Sequence, residues 1–146
     1  MVGPSRIWRE APSRYRFLGN RCTVCEEVYF PPRQICPKCR RASIGRMEPI
    51  QLSGNGEVVT YTVVYDPAVG HELLTPYILA IVKLDEGPRV TSQIVGAGLS
   101  EIMIGSRVKT VLRKLREEKG GGEDGGSGDG SGVITYGYKF VLDGQS

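Results

Sequence analysis

The stretch Cys22-Thr-Val-Cys-Glu-Glu-Val-Tyr-Phe-Pro-Pro-Arg-Gln-Ile-Cys-Pro-Lys-Cys39 decides how the front of this chain folds. It contains all 4 cysteines of the 146-residue sequence, spaced as C-x2-C-x10-C-x2-C. Each C-x2-C pair can fold as a tight knuckle that points two sulfurs at one position, and two knuckles form a closed tetrahedral site. The spacing therefore predicts a metal site whose ligands are Cys22, Cys25, Cys36 and Cys39.

The chemistry of four thiolates narrows the choice of metal. Thiolates are soft ligands, and a tetrahedral set of four sulfurs selects zinc or iron over magnesium or calcium. We expect Zn²⁺, with a single iron as the alternative. The site is expected to be structural, because four protein ligands leave no position for water or substrate. A thioredoxin-like redox site would use one C-x2-C that opens a helix after a strand, whereas this stretch has two pairs and is poor in predicted strands.

The ends and the hydropathy of the chain indicate its compartment. Two disulfides would require an oxidising environment, but no apolar stretch typical of a secretory signal follows the N-terminus. The longest apolar run, residues 77–82, is too short to span a bilayer. We therefore expect a cytoplasmic protein that does not associate with membranes.

Charge is distributed unevenly along the chain. Residues 1–46 carry 10 Lys and Arg against 3 Asp and Glu, a formal +7, and residues 47–146 carry 9 against 13, a formal −4. The front of the chain is therefore basic and the rest is mildly acidic, which suggests that the front contacts an acidic or phosphate-bearing partner.

From residue 57 onward the pattern is that of a β protein. Runs rich in β-branched and aromatic residues predict strands at 57–65, 77–84, 89–95, 107–115 and 133–142. Residues 99–104 predict a single helical turn with Ser100 as its cap. Five strands with a helix between the third and the fourth is the order of an OB-fold barrel.

Two segments flank these patterns. Apolar residues in 6–18 have helical spacing interrupted by Pro12, which predicts a helical arm that either packs on the body through Trp8 and Tyr15 or docks on a partner. Residues 120–132 include eight glycines in thirteen positions and predict a flexible insert. The predicted organisation is mainly β: a helical arm at 1–20, a zinc ribbon at 21–46, and a five-stranded OB-fold barrel at 47–146 containing that insert.

Taken together, the motifs resemble those of the zinc-ribbon/OB-fold acyl-CoA-associated proteins, long known as a domain-of-unknown-function family. The resemblance covers essentially the whole chain and departs from the family in the long insert at 120–132. It is carried by the two cysteine pairs and by Trp8-Arg9-Glu10, Arg14-Tyr15-Arg16, Tyr29-Phe30-Pro31-Pro32-Arg33, Val82-x-Leu84-Asp85-Glu86-Gly87 and Phe140.

The resemblance implies an N-terminal helical arm, a rubredoxin-like zinc ribbon and a C-terminal OB-fold. It also implies a non-catalytic scaffold beside thiolase-type enzymes. Archaeal members of the family bridge an acetyl-CoA acetyltransferase and a hydroxymethylglutaryl-CoA (HMG-CoA) synthase, and the complex passes acetoacetyl-CoA toward the mevalonate route to isoprenoids. Other relatives accompany lipid- or steroid-degrading thiolases, aldolases and hydratases. A coenzyme A thioester is then the expected passing ligand.

The residues themselves favour a binding role over catalysis. The cysteines are assigned to the metal, and the single histidine, His71, falls in a predicted loop without a nucleophile to pair with. Guanidinium groups bind phosphate and carboxylate groups through paired hydrogen bonds. The candidate contacts to a partner or to coenzyme A phosphates are therefore Arg14, Arg16, Arg33, Arg40, Arg41 and Arg46.

The alternative function is binding of single-stranded nucleic acid, because zinc ribbons and OB-folds both occur in such proteins. Tyrosines on the predicted strands could then serve as stacking platforms; these are Tyr61, Tyr65, Tyr77, Tyr136 and Tyr138. The formal −4 of residues 47–146 argues against it, since a groove that follows a nucleic-acid backbone is basic. A stand-alone acyl-CoA enzyme or carrier lacks acid–base groups in this sequence.

Overall fold

The computed structural model describes residues 12–66, 75–117 and 134–144. Residues 12–16 are helical, whereas the last residues of the predicted arm, from Leu18 on, belong to a strand. Residues 1–11, with Trp8, lie outside the described residues. Three short strands follow: β1 (Leu18–Cys22), β2 (Val28–Tyr29) and β3 (Met47–Gln51). They form an antiparallel sheet in the order β2-β1-β3, and the 3-10 helix Arg40–Ser43 lies between β2 and β3 in the chain.

The ribbon sheet is formed mainly by residues on either side of the cysteine-rich stretch. The stretch itself is poor in strands, as expected, because within residues 22–39 only Cys22 and Val28–Tyr29 belong to strands. β1 pairs with β3 over five residues, from Leu18 opposite Gln51 to Cys22 opposite Met47. The residues of β1, Leu-Gly-Asn-Arg-Cys, have little intrinsic strand preference. We attribute the pairing to the two knuckles, which bring the ends of the strands together. Because β3 begins at Met47, the first residues of the predicted third domain pair with the ribbon, and the domain boundaries stay a prediction.

The remaining five strands close into a barrel, which confirms the predicted OB-fold. They are β4 (Asn55–Val64), β5 (Tyr77–Leu84), β6 (Arg89–Ile94), β7 (Arg107–Glu117) and β8 (Ile134–Leu142). Around the barrel the order is β4-β5-β6-β8-β7, and β7 pairs back with β4. All neighbours are antiparallel except β6 and β8, which run parallel and pair only at Ile94 and Phe140.

The start of β4 requires a glycine. Gly56 pairs with Leu84 of β5 on one side and with Val108 of β7 on the other. A Cβ atom at Gly56 would lie 2.6 Å from the carbonyl oxygen of Lys83 and 2.7 Å from Cγ1 of Val82. The close approach of the β5 backbone at this point therefore excludes a side chain.

The predicted helical turn at 99–104 is wrong, because these residues form two tight turns instead. Glu101 N–H donates to the carbonyl of Gly98 at 3.0 Å, and Oε2 of Glu101 accepts a hydrogen bond from the N–H of Gly98 at 2.7 Å. Ser106 closes the second turn on Met103 at 3.1 Å. Between the turns Ile102 is buried in the core, so the segment covers the barrel with one side chain and needs no helix.

The ribbon and the barrel share one hydrophobic core. The ring of Phe17, just before β1, lies 4.5 Å from the ring of Phe30 in the ribbon and 5.1 Å from that of Tyr138 on β8, measured between centroids. It also contacts Phe140 edge-on at 6.3 Å. These contacts continue into the buried interior of the barrel, which includes Leu52, Val58, Ile78, Val82, Leu84, Ile102 and Val108.

Some sequence predictions fall outside the described residues, namely the insert at 120–132 and the loop with His71. In the part of the chain that the structure describes, no helix has the length and apolar character needed to cross a membrane.

Candidate metal centre and neighbouring surfaces

The two cysteine pairs form matching knuckles. The N–H of Glu26 donates to the carbonyl of Cys22, and the N–H of Arg40 donates to that of Cys36, both at 2.8 Å. The residue after the second cysteine of each pair is left-handed, with φ of 60° at Glu26 and 50° at Arg40. A non-glycine residue there costs about 1–2 kcal/mol. Neither position is a glycine, so no signal in the sequence revealed this conformation.

The geometry of the four sulfurs fits a tetrahedral metal. The Sγ atoms of Cys22, Cys25, Cys36 and Cys39 all lie within 4.8 Å of one another. Those of Cys25 and Cys36 are 3.6 Å apart, and zinc bound at 2.3 Å from each sulfur places the sulfurs about 3.8 Å apart. Cys22 and Cys36 are buried, and Cys25 and Cys39 are half-buried. The cage is therefore suited to Zn²⁺.

The pKa values of the cysteines in the cage show why a cation would stabilise it. Burial by itself would raise the pKa of Cys36, but hydrogen bonds from the Tyr29 hydroxyl and the Cys39 N–H favour the thiolate and lower the pKa to about 6. The contact with the Cys25 sulfur and burial raise the pKa of Cys39 to about 12. The Cys36 thiolate thus forms easily while the Cys39 thiol keeps its proton. A divalent cation would balance the charge that all four thiolates carry together.

Three polar residues support the cage, and the sequence reasoning missed all of them. The Tyr29 hydroxyl lies 3.2 Å from Sγ of Cys36. The buried hydroxyl of Ser43 accepts a hydrogen bond from the N–H of Cys36 at 2.9 Å and donates to the carbonyl of Arg40 at 2.6 Å. Asn20 holds the segment after the two prolines through hydrogen bonds with the N–H and the carbonyl of Arg33. Single Tyr, Ser and Asn residues carry no recognisable spacing.

The six candidate arginines do not form one surface. Arg14 is in the helical segment and lines a cleft beside the barrel. Arg33 places its guanidinium 5.7 Å from the centre of the Tyr29 ring. Arg40 and Arg41 belong to the 3-10 helix beside the metal cage, and the carbonyl of Arg46 accepts a hydrogen bond from the N–H of Thr23 at 3.0 Å. The exposed Arg16 accepts a hydrogen bond from Gln51 through its carbonyl.

The largest gap in pairing around the closed barrel is between β6 and β8, and a cleft lies beside it. β6 and β8 pair at one position only, and beyond it Ser92 Oγ donates to the carbonyl of Tyr138 at 3.3 Å. The gap opens into a cleft of about 540 Å³ between the helical segment, the ribbon and the barrel. Its walls include Arg14, Phe30 and Leu115 together with polar groups of β6. An apolar cleft with a cation at its side could take an anionic ligand that has an apolar part.

The five candidate tyrosines do not form one exposed surface on which bases could stack. Tyr138 packs against Phe17 and Phe30 between the ribbon and the barrel, and Tyr61 packs against the core. Tyr65 and Tyr136 are exposed. The ring of Tyr138 therefore joins the ribbon to the barrel and is not available for base stacking.

A cysteine cage in a small ribbon, joined to a closed five-stranded barrel of OB topology, defines a zinc-ribbon/OB-fold protein. Residues 9–45 match the family model of the ChsH2 rubredoxin-like zinc ribbon domain, and residues 49–113 match that of the ChsH2 C-terminal OB-fold domain. The chain belongs to the DUF35 family, as its similarity to curated members shows.

Relatives with this architecture are similar over nearly their whole length. A "DUF35 domain-containing scaffold protein" of Methanothermobacter thermautotrophicus is 46% identical over 140 residues, which cover 96% of both proteins. The "Benzoylsuccinyl-CoA thiolase subunit BbsA" of Thauera aromatica is 25% identical and aligns with 94% of this chain and 86% of its own. Among solved structures, "Ltp2-ChsH2(DUF35) aldolase" superposes with a TM-score of 0.65 at 26% identity, covering 97% of this chain and 96% of its own.

These similarities confirm the family and the two-module fold expected from the sequence. The scaffold name of the archaeal relative supports the prediction of a subunit without catalytic activity of its own. The thiolase and aldolase relatives are described in their names as parts of acyl-CoA or aldolase enzymes.

Proposed function

We propose that this chain is a non-catalytic scaffold subunit that binds thiolase-type acyl-CoA enzymes in the cytoplasm. The observation that carries the proposal is the gathering of all four thiols into one cage. Thiols are the strongest nucleophiles in the sequence, and as ligands of a closed site they are unavailable for covalent catalysis. The scaffold and thiolase-subunit names of the relatives support the same role.

The partners we propose are an acetyl-CoA acetyltransferase and an HMG-CoA synthase, which together lead into isoprenoid biosynthesis by the mevalonate route. The scaffold would hold the two enzymes near each other, so that acetoacetyl-CoA leaves one and reaches the other without escaping. A coenzyme A thioester would then pass along this chain unchanged. The cleft beside Arg14 supports such a contact, because a guanidinium pairs with phosphate and the walls are partly apolar.

The cage would hold one Zn²⁺ through Cys22, Cys25, Cys36 and Cys39, with iron as the alternative. With four protein ligands the metal would supply structure alone. Metal analysis of protein purified under reducing conditions distinguishes the two: we expect one equivalent of zinc per chain, and one equivalent of iron would identify a rubredoxin-type centre.

The test of the function is reconstitution from purified parts. The chain is mixed with the acetyl-CoA acetyltransferase and the HMG-CoA synthase of its own cells, and complexes are resolved by size-exclusion chromatography and native mass spectrometry. We expect both enzymes to co-elute with the chain and not with each other in its absence.

A pull-down from the same cells, with and without nuclease, tests the alternative. Partners retained after nuclease treatment support the scaffold, whereas nucleic acid or ribonucleoprotein lost on treatment would favour the nucleic-acid-binding module. Thiolysis or condensation catalysed by the purified chain alone would contradict a non-catalytic role.

A further inference from the structure

The metal-bearing end of the ribbon exposes aliphatic side chains at rigid positions. Val24, Ile35 and Ile44 are 43%, 50% and 61% exposed. Val24 lies between Cys22 and Cys25, Ile35 precedes Cys36, and Ile44 follows Ser43, whose hydroxyl is bonded to the Cys36 N–H. Each is thus one residue away from a group fixed to the cage. Exposed aliphatic side chains at fixed positions beside the cage are candidates for an interaction surface.

The same end carries positive charge that the chain does not neutralise. Both acidic residues of the ribbon are already paired, Glu26 with Arg21 at 3.1 Å and Glu27 with Lys38 at 2.6 Å. Four exposed arginines remain, and in the described part of the chain no carboxylate pairs with them. Arg33 lies over the Tyr29 ring, and the other three are Arg40, Arg41 and Arg46. Residues 21–46 hold six cations and two acids, a formal +4, and a zinc tetrathiolate of charge −2 leaves +2.

The backbone of these arginines is held in place. The N–H of Arg40 donates to the carbonyl of Cys36 at 2.8 Å, and the N–H of Arg46 donates to that of Ser43 at 2.9 Å. Thr23 of the first knuckle donates its N–H to the carbonyl of Arg46 at 3.0 Å, which ties the two halves of the ribbon together. A surface ordered before binding loses little conformational entropy when a partner docks.

We propose that this surface, the ribbon tip (Val24, Ile35, Ile44, Arg40, Arg41 and Arg46), is where the scaffold docks on its enzyme partner. The occupant is an apolar patch on the enzyme surrounded by Asp and Glu side chains. Aliphatic groups then lie at the centre of the contact and charge pairs at its rim, where they set orientation and association rate. The inference rests on the proposed function and adds to it the surface and the chemistry of the partner.

A second exposed apolar site, at the other module, provides the comparison. Met103 and Ile104 in the barrel turns are 67% and 70% exposed. The arginine that follows them, Arg107, is held by Asp85 in a pair of hydrogen bonds of 2.8 Å. The charge of Arg107 is thus neutralised within the chain, unlike the charges of the arginines at the ribbon tip, so this cation does not indicate an acidic partner. Ile104 is therefore a matched control for Ile44.

The experiment measures binding of the zinc-loaded full chain to each purified enzyme by isothermal titration calorimetry. We compare Ile44→Asp with Ile104→Asp, since both place a carboxylate at an exposed isoleucine. The first puts a negative charge into a contact with an acidic rim, and we expect it to weaken binding about tenfold or more. The second is expected to bind within about twofold of the unchanged chain.

A third variant separates docking from folding. Arg40→Gly removes a cation at a left-handed position, where glycine fits without steric cost. We expect it to keep its zinc and its circular dichroism spectrum. It should nevertheless bind the enzyme several-fold more weakly at low salt, with a smaller dependence of affinity on ionic strength.

The outcomes are distinct. Weakened binding of Ile44→Asp and Arg40→Gly, with Ile104→Asp unchanged, supports the ribbon tip. Normal binding by Ile44→Asp overturns it, and loss of binding in Ile104→Asp alone assigns docking to the barrel end. If the unchanged chain binds neither enzyme, the proposed function fails together with the inference. If the unchanged chain and the ribbon variants bind equally well, the inference fails alone and the proposed function stands.

Discussion

Replacing Phe17 by alanine tests whether the ribbon and the barrel are one folding unit. Phe17 is 6% exposed, and its ring contacts Phe30 of the ribbon and both Tyr138 and Phe140 of the barrel. Its carbonyl also accepts a hydrogen bond from the N–H of Leu52 at 3.2 Å, which alanine would retain. The substitution therefore removes the ring contacts and leaves the backbone contact in place.

The size of the effect follows from the burial of the ring. Truncating a buried phenylalanine to alanine costs about 3–5 kcal/mol, through lost transfer free energy and the cavity left behind. Edge-on and tilted ring pairs add to the burial term. We expect the free energy of unfolding to fall by about 4 kcal/mol, and the melting temperature by about 10 °C for a chain of this length.

The assay is urea unfolding followed by circular dichroism at a fixed excess of Zn²⁺, so that metal binding contributes equally to each variant. Tyr65→Ala, at an aromatic residue that is 72% exposed, is the control and should change the free energy by less than about 0.5 kcal/mol. A loss below about 1 kcal/mol in Phe17→Ala would refute the shared core.

Three further predictions follow from the site and the barrel. Cys39→Ser should lower the zinc content below one equivalent, measured by metal analysis, and release the ribbon. The barrel should stay folded, with β-type circular dichroism, but melt at a lower temperature because the contact of Phe30 with Tyr138 is lost. Full zinc retention would contradict the four-thiolate site. Gly56→Ala should destabilise the barrel by about 1–3 kcal/mol in urea unfolding, because its Cβ would lie 2.6 Å from a backbone oxygen. The control Gly98→Ala should lose less, because Gly98 is not left-handed and the atoms nearest its added Cβ belong to the exposed side chain of Glu101, at 3.3 Å. Burial and the nearby Arg113 lower the pKa of Lys139 from the ordinary lysine value of 10.5. Between the lowered pKa and 10.5 the unfolded chain therefore binds more protons than the folded chain. The free energy of unfolding should rise as the pH increases through this range. Lys139→Met should flatten this rise in melts between pH 7 and pH 10; an unchanged slope would show that other groups cause it.

The sequence by itself indicated the four cysteines of the candidate metal site, the class of fold and the family. Two C-x2-C pairs can converge in few ways, because four thiolates at that spacing require a common cation. Alternating β-branched residues likewise specify strands such as Tyr77–Leu84, whose predicted and observed bounds agree. These signals are local, so each can be read from a few neighbouring residues.

Only the tertiary structure decided how the modules meet and which side chains share a surface. Phe17, Phe30 and Tyr138 are separated by up to about 120 positions in the chain and come together only when the barrel closes. Arg14 and Arg40 look equivalent in the sequence, yet one lines the cleft and the other lies beside the metal cage. The left-handed Glu26 and Arg40 and the turns around Ile102 escaped sequence reasoning for the same reason: the surrounding packing imposes these conformations against the residues' own preferences.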